Sequence, residues 1–310
     1  MGQLSGVLTG LAVIVFAIFV GWLLATIGIV KAEDRITLNK VSFFAASPAL
    51  LFTVIANANL ADIFSGALWA HTAGVVIVGA LVFAGMWIFG ERDPARLVVG
   101  SYSGVYANAN NIGLPIAVYV IGSGHHVAPL LVLQLVFMAP ILMGILDAIR
   151  TGRVNLVSVL KQPFVNPIVL GSAMGVVWSA FDIAQPDWLF LPLKLVGGAA
   201  VPLMLIAFGI SLRGQKPLQA GTGRKSVLIA TVAKSFVLPI VVYSLGRWAF
   251  QLEHDALFAA TVLAGLPTAQ NMFQYALRYD SGEILARDVI FLTTVLTLPV
   301  TLATGILLRP

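Results

Sequence analysis

Residues 108–115 have the sequence Asn-Ala-Asn-Asn-Ile-Gly-Leu-Pro, and Gly-Leu-Pro recurs 152 residues later at 265–267. Proline lacks an amide donor and clashes with the carbonyl four residues back, so each copy predicts an interruption in a helix. A weaker echo links residues 47–52 with 201–206, 154 residues later. Both separations are about half of the 310-residue chain. The sequence therefore predicts an internal repeat with interrupted helices at matching positions.

The composition around these motifs is that of a membrane protein. Hydrophobic residues make up 59% of the chain, charged residues only 10%, and the mean hydropathy is +0.97. A soluble protein carries about 25% charged residues, so an ordinary soluble domain is excluded. The net charge of +5 comes with too little polar surface for nucleic-acid binding, and we expect the basic residues at lipid headgroups. The chain has no cysteine, and its four histidines give no metal-ligand pattern, so neither a metal site nor a cofactor is predicted.

Ten apolar stretches are long enough to span a bilayer, whereas a β-barrel would show alternating segments of about 10 residues. They lie at about 5–30, 36–58, 68–90, 97–122, 127–149, 166–182, 188–212, 226–250, 256–278 and 288–308. The predicted fold is an all-α polytopic membrane protein with ten transmembrane helices, of which helices 4 and 9 are broken. Residues 1–150 form the first five-helix repeat, 151–165 a cytoplasmic connector, and 166–310 a second repeat of inverted topology.

The basic residues predict the orientation. With ten spans, fourteen of the eighteen Lys and Arg residues fall on one side of the membrane. The positive-inside rule places that side in the cytoplasm and both termini outside. Residues 1–30 carry no charge, so they lack the basic start of a signal peptide, and we expect the first helix to be retained. The predicted location is a bacterial inner membrane.

Side-chain amides flank both Gly-Leu-Pro copies and define a candidate site. Helices that restart after an interruption present amide groups and the positive end of a dipole, which attract an anion such as a carboxylate. The predicted substrate-binding residues are Asn108, Asn110, Asn111, Gly113, Pro115, Gly265, Pro267, Gln270 and Asn271. Single prolines are often only kinks, but Pro48 and Pro202 are also predicted as structural helix breaks.

Lys234 is a cation deep within the eighth apolar stretch. An ionisable group at that depth is a functional candidate, and Lys234 could neutralise the substrate or sense its occupancy. Alternatively, its stem could snorkel to the interface, or the ammonium could pair with the C-terminus of a helix.

Four short motifs, in the right order, resemble the auxin efflux carrier family. Residues 108–116 resemble its first crossover, Asn-x4-Gly-x-Pro, and residues 267–279 resemble its second, Pro-x-x-x-Asn-x-Phe followed by Ala-x-x-Tyr. Residues 39–52 and 201–212 are similar to its second and seventh helices. The family includes bacterial carriers and the plant PIN-FORMED exporters, and is more distantly related to bile-acid sodium symporter-type folds.

The resemblance implies a scaffold domain of helices 1, 2, 6 and 7 and a transport domain of helices 3–5 and 8–10. It also implies an elevator mechanism, a homodimer, and an organic-anion substrate such as auxin or malonate. The long central cytoplasmic loop of the plant members is missing here, so kinase control of that kind is not expected.

The predicted function is secondary transport of a small organic anion, with the lipid bilayer as the surroundings and no enzymatic activity. A cation-coupled symporter or antiporter of the same fold is the first alternative, although no Asp or Glu lies in a clear mid-span position. An intramembrane enzyme would need a catalytic pair or metal cluster within the spans, and none is visible. A channel is a further alternative, but interrupted helices favour a closed site over a continuous pore.

Overall fold

The computed structural model of the chain describes residues 2–31, 33–57, 65–151, 166–213, 218 and 223–308. Almost all of this part is helical, and its only β pairing is one isolated bridge between Ala107 and Thr268. The predicted connector, 151–165, lies outside the described residues except for its first one.

The helical runs in the described residues are named here in chain order. They are α1 (Gly2–Thr26), α2 (Asp34–Ile55), α3 (Gly66–Ile88), α4 (Pro94–Ser103), α5 (Ala109–Ile121), α6 (Gly124–Arg150), α7 (Pro167–Ala180), α8 (Asp187–Gly198), α9 (Ala200–Ser211), α10 (Arg224–Ala249), α11 (His254–Ala264), α12 (Asn271–Arg278) and α13 (Glu283–Leu308).

Six helical segments in the described residues are long and apolar enough to cross a membrane, and their mean hydropathies lie between 1.5 and 2.3. They are α2, α3, α6, α8 together with α9, α10 and α13. Shorter apolar helices lie at Ala12–Thr26, Ala109–Ile121, Pro167–Ala180 and His254–Ala264. The chain is therefore a polytopic helical membrane protein, while the arrangement of ten spans as two inverted repeats stays a prediction.

Most prolines in the spans do not break their helices. Pro48, Pro115, Pro140 and Pro239 each follow a π-helical segment that contains the residue four positions before the proline. A π turn bonds an amide to the carbonyl five residues back, so it accommodates a ring that has no donor and would clash with the carbonyl four residues back. The break expected at Pro48 is therefore absent, and α2 continues through it.

Pro202 has a different effect on its helix. The run α8 ends at Gly198, four residues before this proline, and α9 starts at Ala200 after a single residue in a turn. Here the helix ends at the carbonyl that the proline leaves without an amide partner.

One compact unit comprises Met1–Ser65, Asn110–Val132 and Pro163–Gln215. Its helices approach closely at glycines, because a Cβ at Gly171 would lie 2.6 Å from the Pro48 oxygen and one at Gly197 would lie 2.8 Å from the Leu50 nitrogen. Close backbone approach of this kind is how helices associate in lipid, where no hydrophobic effect drives them together.

The second compact unit comprises Gly66–Ala109, Leu133–Gln162 and Lys216–Pro310. Its core is a continuous cluster of buried apolar side chains from α3, α4, the later part of α6, and α10 to α13. Asp288 is a fully buried carboxylate in the second turn of α13, where it accepts hydrogen bonds from the Leu218 amide and from Arg287. This acidic residue therefore has a structural role near the end of a helix.

Candidate functional site

Two helices of the second unit end within the protein interior and are followed by short non-helical segments. The first interruption, residues 104–108, follows α4, and the second interruption, residues 265–270, follows α11. Gly104 and Gly265 stand directly after the two helices, and their amides donate to carbonyls of the last turn. Each interruption is therefore entered through a C-capping glycine.

The two interruptions pair with each other through their backbones. The Asn108 amide donates to the Pro267 oxygen at 2.7 Å, and the Ala269 amide donates to the Tyr106 oxygen at 3.0 Å. These bonds surround the antiparallel bridge between Ala107 and Thr268. Residues 104–108 and 265–269 are all buried. Non-helical backbone in a membrane requires such internal hydrogen bonding, because lipid offers no partners.

A threonine hydroxyl donates a hydrogen bond to the last carbonyl of α4. The Thr268 Oγ1 donates to the Ser103 oxygen at 2.6 Å, and the Thr268 amide donates to the Thr293 Oγ1 at 3.0 Å. Thr268 is completely buried. One residue of the second interruption thus connects the end of α4 to α13.

A lysine ammonium donates a hydrogen bond to the last carbonyl of α11. The Lys234 Nζ donates to the Ala264 oxygen at 2.7 Å, and Lys234 is 0% exposed. In the part of the chain that the structure describes, no carboxylate forms an ion pair with it. Of the alternatives for this residue, the structure therefore shows the one in which the ammonium pairs with a helix C-terminus.

The structure brings five of the predicted site residues into the second unit. Asn108 is 3% exposed and directly precedes α5, whereas Gln270 and Asn271 are more open and stand at the start of α12. Gly265 and Pro267 are buried in the second interruption.

The remaining predicted residues fall within the first unit and inside α5. Asn110 donates to the Asn111 side chain at 3.0 Å, and Gly113 and Pro115 are buried further along the helix. The helix expected to restart near Pro115 in fact begins six residues earlier, at Ala109. The two Gly-Leu-Pro copies are thus not structurally equivalent, because π turns accommodate Pro115 while Pro267 lies in a non-helical segment.

Several buried polar side chains at the interruptions were not predicted. The side chains of Thr268 and Thr293 form the connections described above, and the signal for Thr268 in the sequence is a hydroxyl residue directly after a helix-breaking Gly-Leu-Pro motif. Within the described residues, the buried Ser103 Oγ and Gln134 Nε2 have no hydrogen-bond partner. The Gln134 backbone oxygen accepts from Tyr106, so both unpaired groups lie near the first interruption. Unpaired buried polar atoms there are suited to water or a ligand.

The sequence profile of a family described as "Membrane transport protein" matches residues 7–154 and 150–304. The chain belongs to this family. The resemblance to the auxin efflux carriers is thereby confirmed, and the protein is a membrane transport protein rather than an enzyme.

Three similar proteins are named as transporters and align with this chain over nearly their whole length. A protein of Rhizobium meliloti (strain 1021) named "Putative malonate transporter" is 25% identical over 97% of this chain and 95% of its own length. An uncharacterized transporter of Methanothermobacter thermautotrophicus is 25% identical over 96% of both chains. Another from Methanocaldococcus jannaschii is 26% identical over 92% of this chain and 94% of its own. As a membrane transport protein, this chain resides in a lipid bilayer and moves a small molecule across it.

Proposed function

We propose that this membrane transport protein is a secondary transporter of small organic anions, with dicarboxylates of the malonate class as the leading candidates. The observation that carries the proposal is the pair of buried, hydrogen-bonded interruptions in the second unit. Paired interrupted helices of this kind are where transporters bind substrate. The name of the Rhizobium relative supports malonate as the first substrate to test.

The chemistry around the interruptions favours a carboxylate. Asn108 and Asn271 contribute amide groups, which donate hydrogen bonds to carboxylate oxygens. The start of α12 contributes the positive end of a helix dipole, equivalent to roughly 0.5 elementary charge. Lys234 adds a cation at the end of α11 with no acidic partner in the described part of the chain. The local charge is therefore positive, which suits an anion and disfavours a cationic substrate.

Alternating access by an elevator movement is the mechanism we propose. In it, the third to fifth and eighth to tenth of the ten predicted spans form the transport domain. The first, second, sixth and seventh predicted spans form the scaffold domain, within a homodimer. Fourteen basic residues on one side support an inner-membrane location with both termini outside. A cation-coupled carrier of the same fold is the alternative, because half-helix ends also bind coupling ions in some transporters.

Uptake into proteoliposomes tests the substrate class. The purified protein is reconstituted, and uptake of radiolabelled malonate is measured against empty liposomes. Unlabelled succinate, acetate and indole-3-acetate are added as competitors. We expect time-dependent malonate uptake, stronger competition by dicarboxylates than by acetate, and no effect of a cation such as choline.

A thermal-shift screen of the detergent-solubilised protein with the same compounds gives an independent measurement. A ligand that binds the folded state raises the apparent melting temperature, and a concentration about 100 times the Kd contributes about 2.7 kcal/mol. A shift with cations or lipids alone, together with absent anion uptake, would contradict the organic-anion proposal.

A further inference from the structure

Lys234 donates to the last carbonyl of a helix that ends inside the membrane protein. Its side chain crosses from α10 to Ala264, thirty positions along the chain, and none of it is exposed. The carbonyls of Thr261, Val262 and Leu263 accept from the amides of Gly265 and Leu266. The Ala264 carbonyl is thus the terminal acceptor of α11, and its hydrogen-bond donor is a charged one.

Positive charge is favourable at a helix C-terminus in a low-dielectric interior. The C-terminal end of α11 carries roughly 0.5 of a negative elementary charge, and its last carbonyls have no amide partners within the helix. In cation-coupled transporters, the ends of interrupted helices and their free carbonyls hold the coupling ion. An ammonium that donates to such a carbonyl satisfies both the charge and the hydrogen bond without a free ion.

The other helix end at the interruptions is also occupied. The Ser103 carbonyl at the end of α4 accepts from the Thr268 hydroxyl. Both last helical carbonyls are therefore satisfied by the protein's own side chains. At the Ala264 carbonyl that side chain is an ammonium, which would repel a sodium or potassium ion beside it.

We propose that Lys234 is a built-in cation, which takes the place of a coupled alkali ion at the end of α11 and makes anion transport independent of sodium and potassium. The inference rests on the proposed transport function and states that anion transport through the same site is not coupled to an alkali ion. Lys234 acts through the Ala264 carbonyl and the second interruption, so it is a positioning residue.

The first measurement uses the unaltered protein. Malonate uptake into proteoliposomes is compared in sodium, potassium and choline chloride of equal ionic strength, with the same salt on both sides. We expect rates that agree within about twofold, because the Lys234 side chain already occupies the Ala264 carbonyl. A strict requirement for sodium or potassium would overturn the proposal.

The second measurement removes the cation and supplies another. Lys234→Ala deletes the three outer methylene groups and the ammonium, a fragment that n-propylammonium reproduces. We expect uptake to fall at least about tenfold and to recover at least about fivefold with n-propylammonium or sodium, because each restores a cation that binds a carbonyl. Tetramethylammonium has no N–H donor and should give no recovery. Loss of uptake that no cation reverses, or uptake unchanged by the substitution, would overturn the proposal.

A matched pair separates the cation from a packing effect. Lys234→Met keeps the apolar stem without the charge, and Lys194→Met makes the same change at an exposed lysine of α8. Lys234→Met removes the cost of burying a charge but leaves the Ala264 carbonyl without its donor, so these two effects oppose each other. We expect the melting temperature to change by only a few degrees while uptake per folded molecule falls at least about tenfold. Lys194→Met should retain full uptake. A purely structural cap would instead lose stability and keep its rate per folded molecule.

Thermal unfolding keeps this inference testable if malonate is not carried. In detergent, n-propylammonium should raise the melting temperature of Lys234→Ala by about 2 °C or more and leave the unaltered protein unchanged, because only the variant has an open carbonyl site. Absent malonate uptake with this shift contradicts the substrate assignment alone. Absence of the shift contradicts the built-in cation.

Discussion

At the end of α4, the Ser103 carbonyl accepts a hydrogen bond from the neutral hydroxyl of Thr268, whereas at the end of α11 the Ala264 carbonyl accepts one from the Lys234 ammonium. A glycine follows the last residue of each helix, and both helices lead into a short non-helical segment. The last carbonyl of each helix thus receives a hydrogen bond, from a neutral dipole at α4 and from a full charge at α11. A hydroxyl contributes only a hydrogen bond, while an ammonium also imposes a positive field on the neighbouring segment.

The two interruptions also differ in their exposure. The first interruption is buried along its whole length and ends at Asn108, while the second ends in the more open Gln270 before α12. The cation, Lys234, and the accessible amides of Gln270 and Asn271 therefore all lie at or next to the second interruption. We expect the first interruption to hold the geometry and the second to determine how the anion is bound.

The largest expected effect comes from the amides that follow the two interruptions. Asn271→Ala removes an exposed amide at the start of α12, and we expect malonate uptake to fall about ten- to one-hundredfold with an unchanged melting temperature. A hydrogen bond to a charged group contributes about 1.5–3 kcal/mol, which corresponds to that range. Asn108→Ala should reduce uptake to a similar extent and also lower the melting temperature, because that side chain is buried. Full uptake in both variants would remove the interruptions from the binding site.

A smaller effect is expected at the neutral helix end. Thr268→Val keeps the shape of the side chain but leaves the Ser103 carbonyl without its hydroxyl donor, at a cost of about 1–3 kcal/mol. We expect the melting temperature to fall by a few degrees while uptake per folded molecule stays within about threefold.

Thr304→Val on α13 is the matched control for Thr268→Val. Its hydroxyl donates to the Val300 carbonyl within its own helix, where that oxygen has its usual place in the helical ladder. We expect a change of less than about 0.5 kcal/mol in the free energy of unfolding. Equal destabilisation by the two substitutions would show that the hydrogen bond from Thr268 to the Ser103 carbonyl contributes no more to stability than one within a helix.

The smallest effects are expected at the two prolines of the repeated motif. Pro115→Ala restores an amide inside a helical run, so stability should change by less than about 1 kcal/mol and uptake should be retained. Pro267→Ala preserves the carbonyl that accepts from Asn108 but frees the backbone of the second interruption, so uptake should fall more than at Pro115. Uptake and melting curves of the two variants, measured side by side, test whether Pro267→Ala reduces uptake more than Pro115→Ala. A greater loss at Pro115 would restore the equivalence that the sequence suggested.

The sequence located much of the candidate site but misplaced one of its boundaries. Asn108, Pro267 and Asn271 stand where the structure has its interruptions and the helices that follow them, because proline and glycine act on the backbone locally. Pro115 was expected to mark a break, yet it lies within α5. The π turns on either side of Pro115 accommodate its ring within the helix, and local sequence rules do not predict where a helix widens in this way.

Membrane residence, the positions of the apolar stretches and the transporter family were determined by the sequence alone, because hydropathy is a property of each residue and the motifs are contiguous. Only the tertiary structure decided which side chains satisfy the helix ends. The Thr268 hydroxyl reaches Ser103 across 165 positions, and the Lys234 ammonium reaches Ala264 across 30. Such pairs form because a buried carbonyl needs a donor, and the nearest donor in space is distant in sequence.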